Sequence, residues 1–383
     1  MKTFNSKVGA LCASALMTAS AASPLTAEDL RFAIGYPPNS SPVEVMEDYA
    51  AKVEELSGGA MTVKVFPASL LSFPETSPGV RDGIADMGLL ATGYHPSEYP
   101  INNIVPNTTI SLINYGEQVK NREAMAYASA LTEFTFFHCP ECNAEFAEQN
   151  QVFTSIASTS AYYMMCNQPV PSLEVAKTLR LRAPSNWARW ANYIGATPTN
   201  VNLGEMNEAM SQGVLDCLVA SAAELINWNL TDLVQDIVIG VPGGVAAGAP
   251  VNINMDTWQG LSSEDRKVLM QAAAFSQAQY AWMFHQREAE AIEAAKEAGA
   301  TVHEADQSLI DATKAFVEED IKSMLVDVEE QYGIMNGAEL IETFTPILDK
   351  WVEIAAGIDS AEALETALWE EVFSKVDVDA HGM

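Results

Sequence analysis

The stretch from Leu179 to Cys217, LRLRAPSNWARWANYIGATPTNVNLGEMNEAMSQGVLDC, places strand-like and helix-like segments in strict alternation. A chain patterned this way folds into α/β layers. Leu179 to Ala183 alternates apolar and basic residues and stops at Pro184, which reads as a short strand ending in a turn. Trp187 to Ile194 reads as a helix that Gly195 can close, Ala196 to Leu203 as a second strand, and Glu205 to Gln212 as a second helix. Arg182 therefore sits at a strand-to-loop exit, where open α/β sheets present ligand groups. Its guanidinium fork matches a carboxylate or sulfonate in two parallel hydrogen bonds. The competing role is a salt bridge within its own lobe. Arg180, two residues earlier and on the same strand face, lies further from the exit and suits packing or a salt bridge.

Strands are expected at Leu30–Tyr36, Met61–Pro67, Met87–Ala91, Gln151–Ser158, Tyr162–Asn167, Thr178–Ala183, Thr197–Asn202, Cys217–Ala220 and Gly248–Asn254, with helices between them. From Ser263, a candidate N-cap, a long helix is expected to run to about Ala298, with Gly299 as terminator. Its Trp282, Met283 and Phe284 read as core, and Asp311, Glu318, Glu319 and Asp320 further on as a solvated face.

Lys2 and Lys7 precede an apolar run from Val8 to Met17, and small residues follow up to Ala27, which reads as a secretory signal peptide over residues 1–27. The run is too short to span a membrane, and Leu11 before Cys12 argues against a lipid anchor. Lys plus Arg number 20 against 51 Asp plus Glu, a field that repels phosphate backbones and excludes nucleic acid as a partner. The same field repels anions at long range, so an anion site has to be made locally by an arginine and backbone donors.

Cys139, Cys142, Cys166 and Cys217 follow the leader, and an even count in an oxidising compartment favours disulfides. Three pairings are open; Cys139 with Cys142 and Cys166 with Cys217 are favoured, the first by proximity and the second by strand-end positions. A thiol oxidoreductase needs a thioredoxin-like βαβ context around Cys139–Cys142, which is not evident. Zinc held with His138 lacks a second CxxC pair. The histidines His95, His138, His285, His303 and His381 stand in unlike contexts without HExxH or GxSxG, so a hydrolase has little support. The chain is read as a non-enzyme without metal or cofactor.

Several motifs in order carry a resemblance. Leu181 to Pro184, Gly195 to Pro198, Gly204 with Glu205, and Gly213 to Asp216 are similar to the (I/L)RxP turn, GAxP strand, GE turn and GV(V/L)D of the DctP-type solute-binding proteins of tripartite ATP-independent periplasmic (TRAP) transporters. Leu30–Pro42, Leu56–Leu71, Val80–Tyr94 and the segment from Pro250 extend the likeness over nearly the whole chain after the leader. The resemblance implies a two-lobed periplasmic-binding-protein fold with a cleft between the lobes and a long hinge-spanning helix. Lobe one is then residues 28–150 plus 239–280, and lobe two 151–238 plus 281–383 with the C-terminal helices. It further implies a monomeric periplasmic receptor that captures a small organic anion and delivers it to small and large membrane permease subunits. The alternatives are a binding protein of an ABC importer or of a sensor.

Within this family Arg182 matches the arginine that holds the ligand's anionic head. Tyr36, Thr92 and Gly93 match loops lining the cleft from lobe one, each equally suited to a turn. Trp187 is a pocket wall or helix packing, Asn252 and Asn254 lie where crossing strands pass the cleft, and Glu205 matches the GE turn. Two departures stand out. Where members for sialic acid or dicarboxylates often carry an arginine, this chain has Tyr162 or Tyr163, and Cys217-Leu218-Val219-Ala220 replaces a polar run after Asp216. Without a second fixed cation, the pocket suits a monoanion with an uncharged or hydrophobic body.

Overall fold

The computed structural model describes Met1 and residues 28–383; residues 2–27 of the leader expected over 1–27 lie outside the described residues. In chain order the strands are β1 (Glu28–Ile34), β2 (Met61–Pro67), β3 (Met87–Leu90), β4 (Gln151–Phe153), β5 (Ala157–Ser158), β6 (Tyr162–Cys166), β7 (Arg180–Arg182), β8 (Thr197–Thr199), β9 (Cys217–Ser221), β10 (Asp236–Pro242), β11 (Ala247–Asn254) and β12 (Thr301–Glu304). They form two six-stranded sheets, one ordered β2-β1-β3-β11-β4 with β5 pairing β11, the other β12-β10-β6-β9-β7-β8.

Each sheet carries the same parallel unit. In the first, β1 leads through helix Ser41–Ser57 to β2 and through helix Phe73–Arg81 to β3, with β1 between β2 and β3. In the second, β7 leads through helix Asn186–Tyr193 to β8 and through Met206–Ser211 to β9, with β7 between its partners. The connections leave a central strand on opposite sides, so the exits of β1 and β3, and of β7 and β9, open a crevice at the carboxyl ends. An antiparallel strand completes each unit, β11 beside β3 and β6 beside β9.

Local chemistry sets the boundaries. Pro42 occupies the first turn of its helix, where a missing N–H costs nothing, and Gly58 ends it at φ 62°. Ser72 and Glu75 form a capping box that opens the next helix. The long helix spans Ser263–Glu297, its N-cap being Ser262, whose hydroxyl receives the Asp265 N–H. Over 35 residues it reaches about 50 Å. Leu269 and Phe284 lie in the core of the first sheet, whereas Ala291 and Ala295 lie in that of the second.

Three expectations on lobe boundaries are corrected. Gln151–Phe153 and Ala157–Ser158 pair with β11 in the first sheet, so the first crossing falls between Ser158 and Tyr162 and not at 150/151. Asp236–Pro242 is a strand of the second sheet, antiparallel to β6, so a boundary at 238/239 would cut a hydrogen-bonded ladder. The chain crosses instead between Pro242 and Ala247. The tail does not belong wholly to the second lobe either. Helix Gln307–Tyr332 packs Leu309 and Phe316 on the second sheet's core, but Phe344 and Trp351 of helix Gly337–Ala355 and Leu368 of helix Ala361–Glu371 enter the first sheet's core. Their apolar faces continue the surface of helix Glu123–Phe137, against which Phe344 sets its ring on Tyr127 and Phe134.

Cys139–Cys142 and Cys166–Cys217 are both disulfide-bonded. The second joins residues directly opposite each other on β6 and β9.

Candidate functional site

A cavity of about 490 Å³ lies between the two sheets at the ends of these strands. From the first sheet come Tyr36 after β1, Phe73, and Thr92 to Tyr94 after β3; from the second come Arg182, Asn186, Trp187 and Glu224. Residues 157–159 and 245–248 of the crossing segments and Tyr280 of the long helix close the remaining sides.

Arg182 is the last residue of β7 and only 3% exposed. Its Nε donates to the Val201 carbonyl at 3.1 Å and its Nη1 to the Val219 carbonyl at 3.4 Å. No carboxylate among the described residues lies within ion-pair distance of it. A buried guanidinium held by carbonyls but unpaired with charge is costly until an anion meets it. Arg180 contrasts with it: its fork closes on Asp216 at 2.9 and 2.7 Å, and its side chain is half exposed.

Aromatic rings make most of the wall. Tyr162 and Trp187 stack with centroids 4.2 Å apart, and the Trp187 indole donates to the Gly243 carbonyl at 2.9 Å. Phe73 stacks on Tyr94 and meets Tyr36 edge-on at 5.1 Å. The Tyr36 hydroxyl donates to Glu224 at 2.8 Å, bridging the exits of β1 and β9. Burial pushes the Tyr36 phenol well above its ordinary range, and the Glu224 charge pushes it further. Burial likewise raises the Glu224 carboxyl, held back by hydrogen bonds from Tyr36 and Asn227 and by the Arg182 charge. For the Tyr162 hydroxyl, burial raises the pKa and Arg182 opposes it.

Of the residues singled out in the sequence, Arg182, Tyr36, Thr92, Gly93 and Trp187 line this one cavity. Four others do not. Tyr163 points to the opposite face of β6 from Tyr162, because successive strand residues alternate, and its hydroxyl donates to Glu288. Glu205 is exposed and accepts the Asn202 N–H at 3.2 Å as part of a capping box. Asn252 is buried in the first sheet and donates to Gln151; Asn254 caps helix Met255–Gly260 and donates to the Val80 carbonyl at 2.8 Å. Their amides satisfy backbone and sheet-interior groups rather than the cleft.

Sequence reasoning missed Glu224, Tyr280, Tyr94 and Asn186. An acidic residue runs against the expectation of an anion pocket, and Tyr280 is hidden among the core residues of its helix. The only signal for Glu224 was its place just past the β9 exit, the counterpart of Tyr94 past β3.

No helix among the described residues is long and apolar enough to cross a membrane, and no cluster of three or more His, Cys, Asp or Glu is placed to hold a metal ion.

The fold has relatives among solved structures. An extracytoplasmic solute receptor of Bordetella pertussis that binds pyroglutamic acid is similar with a TM-score of 0.68 and 20% identity, over 83% of this chain and 100% of that one. A marine metagenome TRAP solute-binding protein specific for aromatic acids, in complex with 3-hydroxybenzoate, gives a TM-score of 0.71 at 21% identity over 85% and 99%. A Rhodoferax ferrireducens TRAP solute-binding protein with copurified benzoate gives 0.71 at 19% over 85% and 99%. A solute-binding protein of Albidiferax ferrireducens is 24% identical over 238 residues, 60% of this chain and 65% of the relative's own length. The profile of bacterial extracellular solute-binding protein family 7 matches residues 32–327. The chain belongs to that family, DctP, whose members are solute-binding proteins and not enzymes.

Proposed function

We propose that this chain is the periplasmic receptor of a TRAP transporter, exported by its signal peptide, and that it captures a small organic monoanion through Arg182. The observation that carries this reading is the buried Arg182 guanidinium without an ion-pair partner on the wall of an aromatic cavity. The anion's carboxylate or sulfonate takes the free side of the fork, and Tyr162, Trp187 and Phe73 enclose an uncharged body. Similar receptors bind pyroglutamate, 3-hydroxybenzoate and benzoate, monoanions of this description.

Ligand touching both walls favours the shut arrangement by whatever contacts exist only there. The hydrogen bonds from Tyr36 to Glu224 and from the Ser41 N–H to Asn227 at 3.2 Å are contacts of that kind, each joining one sheet to the other. The moving lobes are the two sheets with their helices, hinged through the crossing segments. The cavity is complete within one copy, which supports a monomer. The shut receptor delivers its cargo to small and large permease subunits; two adjacent membrane-protein genes without an ATPase gene are the expected neighbourhood.

Calorimetry against monocarboxylates, sulfonates and C4-dicarboxylates tests the reading. Monoanions bind the wild type, and Arg182→Ala weakens them by ~100-fold or more. A C4-dicarboxylate binding far more tightly than every monoanion, or an Arg182→Ala variant with undiminished affinity, removes it.

A further inference from the structure

Capture of an anion accounts for one of the two charged side chains on the cavity wall; the other is Glu224. It is 1% exposed, begins the short helix Glu224–Asn227, and forms no ion pair among the described residues. One carboxylate oxygen receives the Tyr36 hydroxyl at 2.8 Å and the other a long bond, 3.3 Å, from Asn227, with the Trp228 side chain also acting on the group. A carboxylate offers about four acceptor positions, so part of its capacity is unused. Arg182 acts on its titration, which puts the two charges within each other's field inside one cavity.

Resting on the reading that Arg182 takes the ligand's anionic head, the geometry points to Glu224 as the specificity residue at the other pole, receiving a hydroxyl or N–H on the ligand body and repelling a second carboxylate. A monoanion with a neutral donor satisfies both poles. An acid without a donor covers the Glu224 acceptor with apolar surface and forfeits a hydrogen bond to a charged group. A dianion brings like charge against Glu224 at low dielectric, where water screens little.

Calorimetric titration with two matched sets tests this: butanoate, 4-hydroxybutanoate and succinate, and 3-phenylpropanoate, 3-(4-hydroxyphenyl)propanoate and 3-(4-carboxyphenyl)propanoate. In at least one set the hydroxy acid binds about tenfold or more tighter than its unsubstituted match, and the dicarboxylate binds weakest. Glu224→Gln narrows the first ratio and admits the dicarboxylate by about tenfold. If Glu224 serves only to hold Tyr36, the variant lowers the Tm but leaves both ratios unchanged, and the inference falls while the Arg182 reading stands. Should the variant not fold, the wild-type order decides: an unsubstituted acid or a dicarboxylate matching its hydroxy analogue in both sets overturns the inference. No binding by any of the six acids removes it and the Arg182 reading together.

Discussion

The two sheets begin with the same device and end differently. In the first, Arg31 donates its backbone N–H, Nε and Nη2 to Asp86, and the Asp86 N–H returns to the Arg31 carbonyl. In the second, Arg180 and Asp216 repeat every one of these bonds. The clamp ties the central strand to the turn before the third, so it builds the unit and plays no part in the cleft. Two residues on, the sheets diverge. The first has Ala33, fully buried beside Gly88; the second has Arg182 beside Leu218. The same scaffold position is filled once for packing and once for charge, which separates an arginine that folds the protein from one that awaits an anion.

Exchanging the two residues should separate these roles most sharply. Ala33→Arg buries an unpaired charge in a packed layer and should cost about 4 kcal/mol or more in denaturant unfolding. Arg182→Ala, which removes such a charge, should leave the ligand-free stability unchanged or higher. Equal losses at both positions would make Arg182 an ordinary structural residue.

The two disulfides sharpen the contrast next. Cys166–Cys217 closes a separation of 51 residues within the second sheet, whereas Cys139–Cys142 spans 3 beside the first. Loop-closure entropy assigns about 4 kcal/mol to the former and about 1.5 to the latter. Paired Cys→Ser variants compared by unfolding should differ in that order.

Gly88→Ala comes third. A Cβ there would lie 2.9 Å from Thr76 Cγ2 and 3.0 Å from the Ala33 carbonyl oxygen. Forcing the strand and helix apart should cost ~1–3 kcal/mol. Leu218→Ala at the matching site instead leaves a hole, and its loss should grow when ligand is added only if the cavity is disturbed enough to weaken binding.

The smallest effect is the clamp. The Arg180 hydrogen bond, with its charge, holds the Asp216 carboxyl below its ordinary value. A depressed carboxylate stabilises the fold above the unfolded pKa of about 4 and loses that contribution as pH falls through the folded value. Asp216→Asn should therefore cost ~0.5–1 kcal/mol at neutral pH, given the half-exposed Arg180, and nothing once both states are protonated. A deficit that persists after both states are protonated would mean the hydrogen bonds, not the charge, matter.

The sequence carried Arg182 and the layered fold because a strand exit followed by Pro184 is a local pattern. It did not separate Tyr162 from Tyr163, since every residue of β6 is buried and alternation leaves no polar face to fix the parity. Strand β10 was missing from the expected strands because Gly240 and Pro242 within DIVIGVP are turn formers, although β6 and β12 pair with its first residues. The docking of the last helices depended on a partner surface made by Glu123–Phe137, some two hundred residues away, which no local periodicity encodes. Glu224 belonged to no recognisable spacing at all.

Between Pro242, the end of β10, and Ala247, the start of β11, only Gly243 to Ala246 pass from one sheet to the other, and Val245 and Ala246 of that tether touch the cavity. Fully stretched, so few residues reach no more than about 14 Å. So short a tether keeps the two sheets side by side, and its place in the lining sets that crossing against whatever fills the cavity.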